Sequence, residues 1–108
     1  MGVITYHIDG TDCEIVTLDS LVNHLGLGTN LVHKVIEKAN KKGCRRVWLI
    51  TTNDNTHAIR FYQKRGFTWK AFHKNAIIES RKLKPEIPEL GNDGIPVLHE
   101  IEFEYILG

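Results

Sequence analysis

Four groups of residues in this 108-residue chain have the types and spacing to do chemistry. The run Asn23-His24-Leu25-Gly26-Leu27-Gly28 ends in a Gly-x-Gly turn that leads into a helical pattern, with Thr29 next. Free N–H groups at a helix start favour an anion, and glycines let the backbone approach phosphate oxygens; Thr29 would add a hydroxyl donor. The same residues also read as a plain tight turn. Further on, Asn55 precedes a second helical pattern that carries Tyr62. A phenol, with an ordinary pKa near ~10, can protonate a departing sulfur as a general acid, but an aromatic at this spacing also fills a core face. Asn55 can reach a ligand, cap the helix, or do both. Asp12 and Glu14 share one face of a strand by the period-two rule, and either could accept a proton; Glu14 is the first choice, and a solvated carboxylate is the competing reading. His7, His57 and His73 are titratable as well, with nothing in their spacing to place them. The six histidines and two cysteines form no HExxH or Cys/His cluster, so no metal is expected.

The elements that must position these groups follow from periodicity. Val3 to Ile8 alternates, Asp9-Gly10 signals a hairpin, and Cys13 to Leu18 alternates again, giving two antiparallel strands. Leu31, Val32, Val35, Ile36 and Ala39 recur at helical spacing, with Gly43 as the stop. Arg46 to Thr52 is apolar and β-branched enough to be a central strand covered on both faces. Asn53-Asp54-Asn55 breaks it, and Thr56 to Lys64 forms a helix closed by Arg65-Gly66. A strand from Thr68 to Phe72, a short helix from Ala76 to Leu83, a Pro/Gly-marked loop and a final strand around Ile101, Phe103 and Tyr105 complete the chain.

Composition narrows the function. With 42% hydrophobic and 25% charged residues and a net charge of +1, the chain reads as one globular domain over 1–108, with a core over 1–72 and a C-terminal helix, loop and strand over 73–108. Near-neutral charge argues against nucleic acid, and the absence of a long apolar run argues against a membrane, which leaves a small-molecule partner. Lys38, Lys41, Lys42, Arg45 and Arg46 read as the solvated end of a helix. Cys13 and Cys44 read as reduced and partly buried, and the N-terminus has no leader; both point to the cytoplasm.

The two glycine-bearing stretches, taken together, resemble the GCN5-related N-acetyltransferase (GNAT) family. Asn23-His24-Leu25-Gly26-Leu27-Gly28 is similar to its Arg/Gln-x-x-Gly-x-Gly/Ala motif, with Asn23 standing where the family has Arg or Gln. Asn55-Thr56-His57-Ala58-Ile59-Arg60-Phe61-Tyr62-Gln63-Lys64-Arg65-Gly66-Phe67 matches Asn-x-x-Ala-x-x-Phe-Tyr-x-x-x-Gly-Phe. The resemblance implies an α+β fold, a mixed, twisted sheet flanked by helices, here without the family's usual N-terminal strand-helix-helix-strand portion. It implies acetyl-CoA as co-substrate and direct acetyl transfer to a primary amine in a ternary complex. Tyr62 would be the acid and Glu14 the base. Thr17, Leu18, Asn23, His24, Leu25, Gly26, Leu27, Gly28, Thr29, Asn55 and Tyr62 would hold the coenzyme, with the pantetheine arm paired along the Thr17–Leu18 strand where it splays from the next one. A homodimer is expected from the uncovered sheet edge. The alternative is a non-catalytic coenzyme A-binding or interaction module.

Overall fold

The alternating residues at the start of the chain form the expected hairpin. In the computed structural model, which describes residues 2–20 and 27–107, β1 is Gly2–Asp9 and β2 is Asp12–Ser20, antiparallel. A two-residue turn joins them, and Gly10 takes φ 60° there, as the first central position of the favoured hairpin turns requires. Asp9 pairs with Asp12, and the register runs unbroken to Tyr6 opposite Ile15. It then shifts so that Thr5 faces Thr17, leaving Val16 as the extra residue of a bulge and 55% exposed.

The remaining elements are α1 (Leu27–Lys41), β3 (Arg46–Thr52), α2 (Thr56–Lys64), β4 (Thr68–His73), α3 (Ala76–Leu83), a 3-10 turn at Asn92–Gly94 and β5 (Glu100–Ile106). The strands form one mixed sheet in the order β1-β2-β3-β5-β4. The chain packs as two units, Met1–Leu49 with Glu104–Gly108, and Ile50–Phe103.

In the first unit, α1 packs on the hairpin, and Val32, Val35 and Ala39 of α1, Cys13 and Ile15 of β2 and Val47 and Leu49 of β3 are all buried. Gly43, at φ 79°, lets the chain leave the helix, and the Cys44 N–H returns to the Ala39 carbonyl at 3.0 Å. Both cysteines are free and buried, Cys13 completely. Burial, reinforced by the neighbouring Cys44, pushes the Cys13 thiol up to about 11.

β3 departs from the expectation of two covered faces. Val47 and Leu49 are buried, but Arg46 and Trp48, pointing the other way, are only half-buried. The reason is the composition of the hairpin's opposite face, which presents His7, Asp9, Asp12 and Glu14, and such groups stay hydrated. Arg46, expected in a solvated helix end, instead donates to Asp12 at 3.2 Å and Glu104 at 3.0 Å and lies 5.2 Å over the Trp48 ring.

The second unit is organised by the three residues that end β3. Asn53 accepts from the Leu98 and His99 N–H groups at 2.9 Å each and donates to the Pro96 carbonyl at 2.8 Å. Asp54, buried, accepts from Thr52 Oγ1 at 2.5 Å and from the Asn92 N–H at 3.1 Å. The Pro/Gly loop is therefore more ordered than its composition implies, with a Leu90–Pro96 bridge and the 3-10 turn. Arg81 adds a clamp, donating to the carbonyls of Ile87, Pro88 and Val97. The core of this unit is Tyr62, Phe67, Ile77, Val97, Ile101 and Phe103.

Candidate functional site

Asn55 takes the capping role. Its Oδ1 accepts from the Ala58 N–H at 3.2 Å, satisfying one of the free donors of α2's first turn. The amide Nδ2 has no partner among the described residues, so capping leaves a donor for a ligand.

The other end of α2 explains the spacing of Tyr62, Gly66 and Phe67. The Gly66 N–H donates to the Gln63 carbonyl at 3.1 Å and the Phe67 N–H to the Tyr62 carbonyl at 3.0 Å, the paired bonds of a Schellman cap. Gly66, at φ 97°, makes the turn, and Phe67 folds back to meet Tyr62 edge-on. Tyr62 is thus held by the backbone geometry that ends its own helix. The ring is 5% exposed, and burial pushes its phenol up to about 12. Its hydroxyl finds no hydrogen-bond partner among the described residues, an unusual state for a buried tyrosine. The ring fills the core while the hydroxyl stays without a described partner.

In the first unit, α1 begins at Leu27, so Gly28 lies inside the helix's first turn rather than in a preceding loop, and it is buried. That turn contains no acidic residue, and Lys38 and Lys41 occupy the last turn, so the fixed charges do not oppose an anion at the start. Thr29 is half-buried beside Gly28. Asn23, His24, Leu25 and Gly26 lie outside the described residues.

Thr17 and Leu18 sit on β2 just past the bulge, with Thr17 Oγ1 2.6 Å from Thr5 Oγ1. The parallel ladder between β2 and β3 holds only Asp12 to Glu14 against Arg46 to Trp48. Beyond Glu14, β2 runs on to Ser20 paired with β1 alone. Its main-chain groups on the other side are therefore outside any ladder among the described residues, the condition for an extended ligand to add as a strand.

Glu14 lies at the last rung of that ladder, opposite Trp48, and lines a groove of about 120 Å³ with His7, Asp9, Asp12 and Trp48. His7 is one of the three histidines that sequence reading left unplaced. The signal was present: a two-residue loop at Gly10-Thr11 fixes Asp9 opposite Asp12 and hence His7 opposite Glu14. Asp12, the other carboxylate considered as a base, is taken by Arg46. His57 stacks on Phe61 and His73 stands 3.8 Å from Glu102, each in the second unit. Among the described residues no group of three or more His, Cys, Asp or Glu side chains could hold a metal, and no helix is long and apolar enough to cross a membrane.

Comparisons with known proteins agree with this geometry. The acetyltransferase (GNAT) family model matches residues 1–67. Among curated proteins, the uncharacterized Bacillus subtilis proteins YdhI and YxbD are 51% and 44% identical over 107 and 101 residues, covering 99% and 94% of this chain. The chain spans 67% and 64% of their lengths. Among solved structures, a Bacillus subtilis acetyltransferase in complex with CoA superposes with a TM-score of 0.83 at 25% identity, over 99% of this chain and 69% of its own. A GNAT family acetyltransferase from Elizabethkingia anophelis with acetyl-CoA bound superposes with a TM-score of 0.81 at 26% identity, over 98% of this chain and 68% of its own. The helix cap and motif around Tyr62, the mixed five-stranded sheet and these likenesses together place the chain in the GNAT acetyltransferase family.

Proposed function

We propose that this protein is an acetyl-CoA-dependent N-acetyltransferase that passes the acetyl group directly to a primary amine in a ternary complex. The observation that carries the reading is Tyr62, a buried phenol whose hydroxyl has no hydrogen-bond partner among the described residues, on the helix that bears the family's second motif. The likeness to structures holding CoA and acetyl-CoA supports the choice of co-substrate.

On this reading the diphosphate takes the N-terminus of α1, where Leu27, Gly28 and Thr29 offer backbone and hydroxyl donors. The part assigned to Asn23, His24, Leu25 and Gly26 follows from the motif alone. The pantetheine arm pairs with the main chain of Thr17 and Leu18, and the Leu18 N–H polarises the thioester carbonyl. Asn55 offers its free amide donor. The amine nitrogen attacks the thioester carbon, the C–N bond forms as the C–S bond breaks, Glu14 accepts the amine proton through water, and Tyr62 protonates the departing sulfur. A phenol at about 12 is in its donor form at every physiological pH. A homodimer and a cytoplasmic setting belong to the same proposal; Val3 and Tyr6 on the outer strand β1 are 57% and 37% exposed, and light scattering that finds only monomer at micromolar concentration removes the dimer.

The test is a melting series with acetyl-CoA, with ADP as the control lacking pantetheine, followed by acetylation assays on a panel of amines. Ligand at about a hundred times its Kd contributes roughly 2.7 kcal/mol, a shift of several degrees in a domain of this size. No shift and no binding heat at millimolar acetyl-CoA overturns the reading. Binding without transfer to any amine makes the chain a coenzyme-binding module instead.

A further inference from the structure

The groove on the open face of the hairpin contains a histidine that the reaction described above does not use. His7 stands directly opposite Glu14 in the antiparallel register, and Trp48 stands on Glu14's other side across the parallel ladder, so imidazole, carboxylate and indole form one row across three strands. Side chains directly opposite in such a register have Cβ atoms about 5 Å apart, close enough to share a proton directly or through one water. All three line the same groove of about 120 Å³.

The neighbouring row separates this pair from the rest of the charge. Asp9 and Asp12 pair with each other, and Asp12 is held by Arg46, which also binds Glu104 and covers Trp48. Arg46 is thereby committed, and neither His7 nor Glu14 has a salt bridge or side-chain hydrogen bond among the described residues. The groups facing His7 are therefore Glu14 and Asp12 from β2, Asp9 from its own strand and Trp48 from β3.

We infer that His7 is a catalytic residue of the proposed acetyl transfer, accepting the proton of the acceptor amine together with Glu14 in this groove. The inference rests on the N-acetyltransferase reading. The amine nitrogen gives up one proton as its bond to the acetyl carbon forms and the C–S bond breaks; that proton passes through the water at Glu14 and is shared between the Glu14 carboxylate and the His7 imidazole, and the expelled thiolate takes its proton from the general acid. Imidazole is the side chain suited to this near neutral pH, since it changes charge between about pH 5 and 8.

The experiment measures initial rates of acetyl transfer to a primary amine from pH 5.5 to 8.5 for the wild type, His7→Gln, His7→Ala, Glu14→Gln and, as a control, His33→Gln on the exposed face of α1. The expected result is a wild-type kcat that rises through about pH 5 to 8. His7→Gln loses that rise and about 10²-fold in kcat at the upper end. Its KM for acetyl-CoA and its melting temperature stay as in the wild type, and His33→Gln keeps the full profile. Added imidazole restores part of the rate of His7→Ala and none of that of Glu14→Gln. A His7→Gln enzyme with the wild-type profile and kcat, or a His7→Ala enzyme that imidazole does not rescue, overturns the assignment while leaving the acetyltransferase standing. A wild type that acetylates no amine overturns the underlying function, and the assignment with it.

Discussion

Tyr62 and Phe67 meet edge-on, ring centroids 5.3 Å apart at 70°, because the Phe67 N–H donates to the Tyr62 carbonyl across the Schellman turn that ends α2. The contact is the hydrophobic closure such caps commonly carry. Its effect here is to fix the Tyr62 ring from the backbone, so that the phenol's position does not depend on a hydrogen bond of its own.

Tyr62→Phe therefore keeps the cap and the ring contact and removes only the phenolic proton. The expected outcome is a melting temperature and acetyl-CoA affinity close to wild type, with turnover lower by about 10²-fold or more. Unchanged turnover per folded molecule would make Tyr62 a packing residue and remove the general acid from the mechanism.

Asn55→Asp separates capping from coenzyme contact. An aspartate retains the oxygen that accepts from Ala58 and suits a helix N-terminus, so stability holds to within about 0.5 kcal/mol. It loses the Nδ2 donor, and titration calorimetry should find acetyl-CoA bound about tenfold more weakly, the loss of one hydrogen bond of roughly 1.4 kcal/mol. Equal affinity for the two proteins limits Asn55 to its cap.

Asp54 and Gly91 predict a coupled pair. A Cβ built on Gly91 would collide with the Asp54 carboxylate and come within 2.8 Å of Val97 Cγ2. Gly91→Ala should cost about 1–3 kcal/mol through overpacking. Asp54→Ala should cost about 2–3 kcal/mol, since it strips a buried acceptor from Thr52 and from the Asn92 N–H. In urea titrations the double variant should be more stable than the sum implies by at least about 0.5 kcal/mol, because removing the carboxylate makes room for the methyl. Simple additivity contradicts the close approach.

Alkaline pH should destabilise the fold in two overlapping steps. Tyr62 is held at about 12 against 10.0 and Cys13 at about 11 against 9.0, both chiefly by burial. The unfolded chain releases each proton first, so it binds fewer protons than the native state in that window, and stability falls as pH rises. The contribution is whole below about pH 9 for Cys13 and about pH 10 for Tyr62, and it is lost towards the folded values at up to roughly 1.4 kcal/mol per pH unit for each group. Urea midpoints followed from pH 8 to 12 should flatten between about pH 10 and 12 in Tyr62→Phe. An unaltered slope in that variant shows that Tyr62 is not the group responsible.

Much of this protein was legible in its residues because the governing interactions are local. Alternation fixed the hairpin and helical spacing fixed α1; Asn55 as a cap and Gly66 as a turn followed from backbone preferences within a few residues. Even His7 opposite Glu14 was implicit, since a two-residue turn sets the register of everything next to it. What tertiary structure alone decided lies at longer range. The parallel ladder that stops at Glu14 and Trp48, and the capture of Arg46 by Asp12 and Glu104, depend on strands meeting across tens of residues. Asn53 and Asp54 read only as a break in a strand, yet they clamp a loop some 40 residues further on. Which partner satisfies a buried carboxylate or amide depends on which segment packing brings alongside it, and packing is a property of the whole chain rather than of its neighbours in sequence.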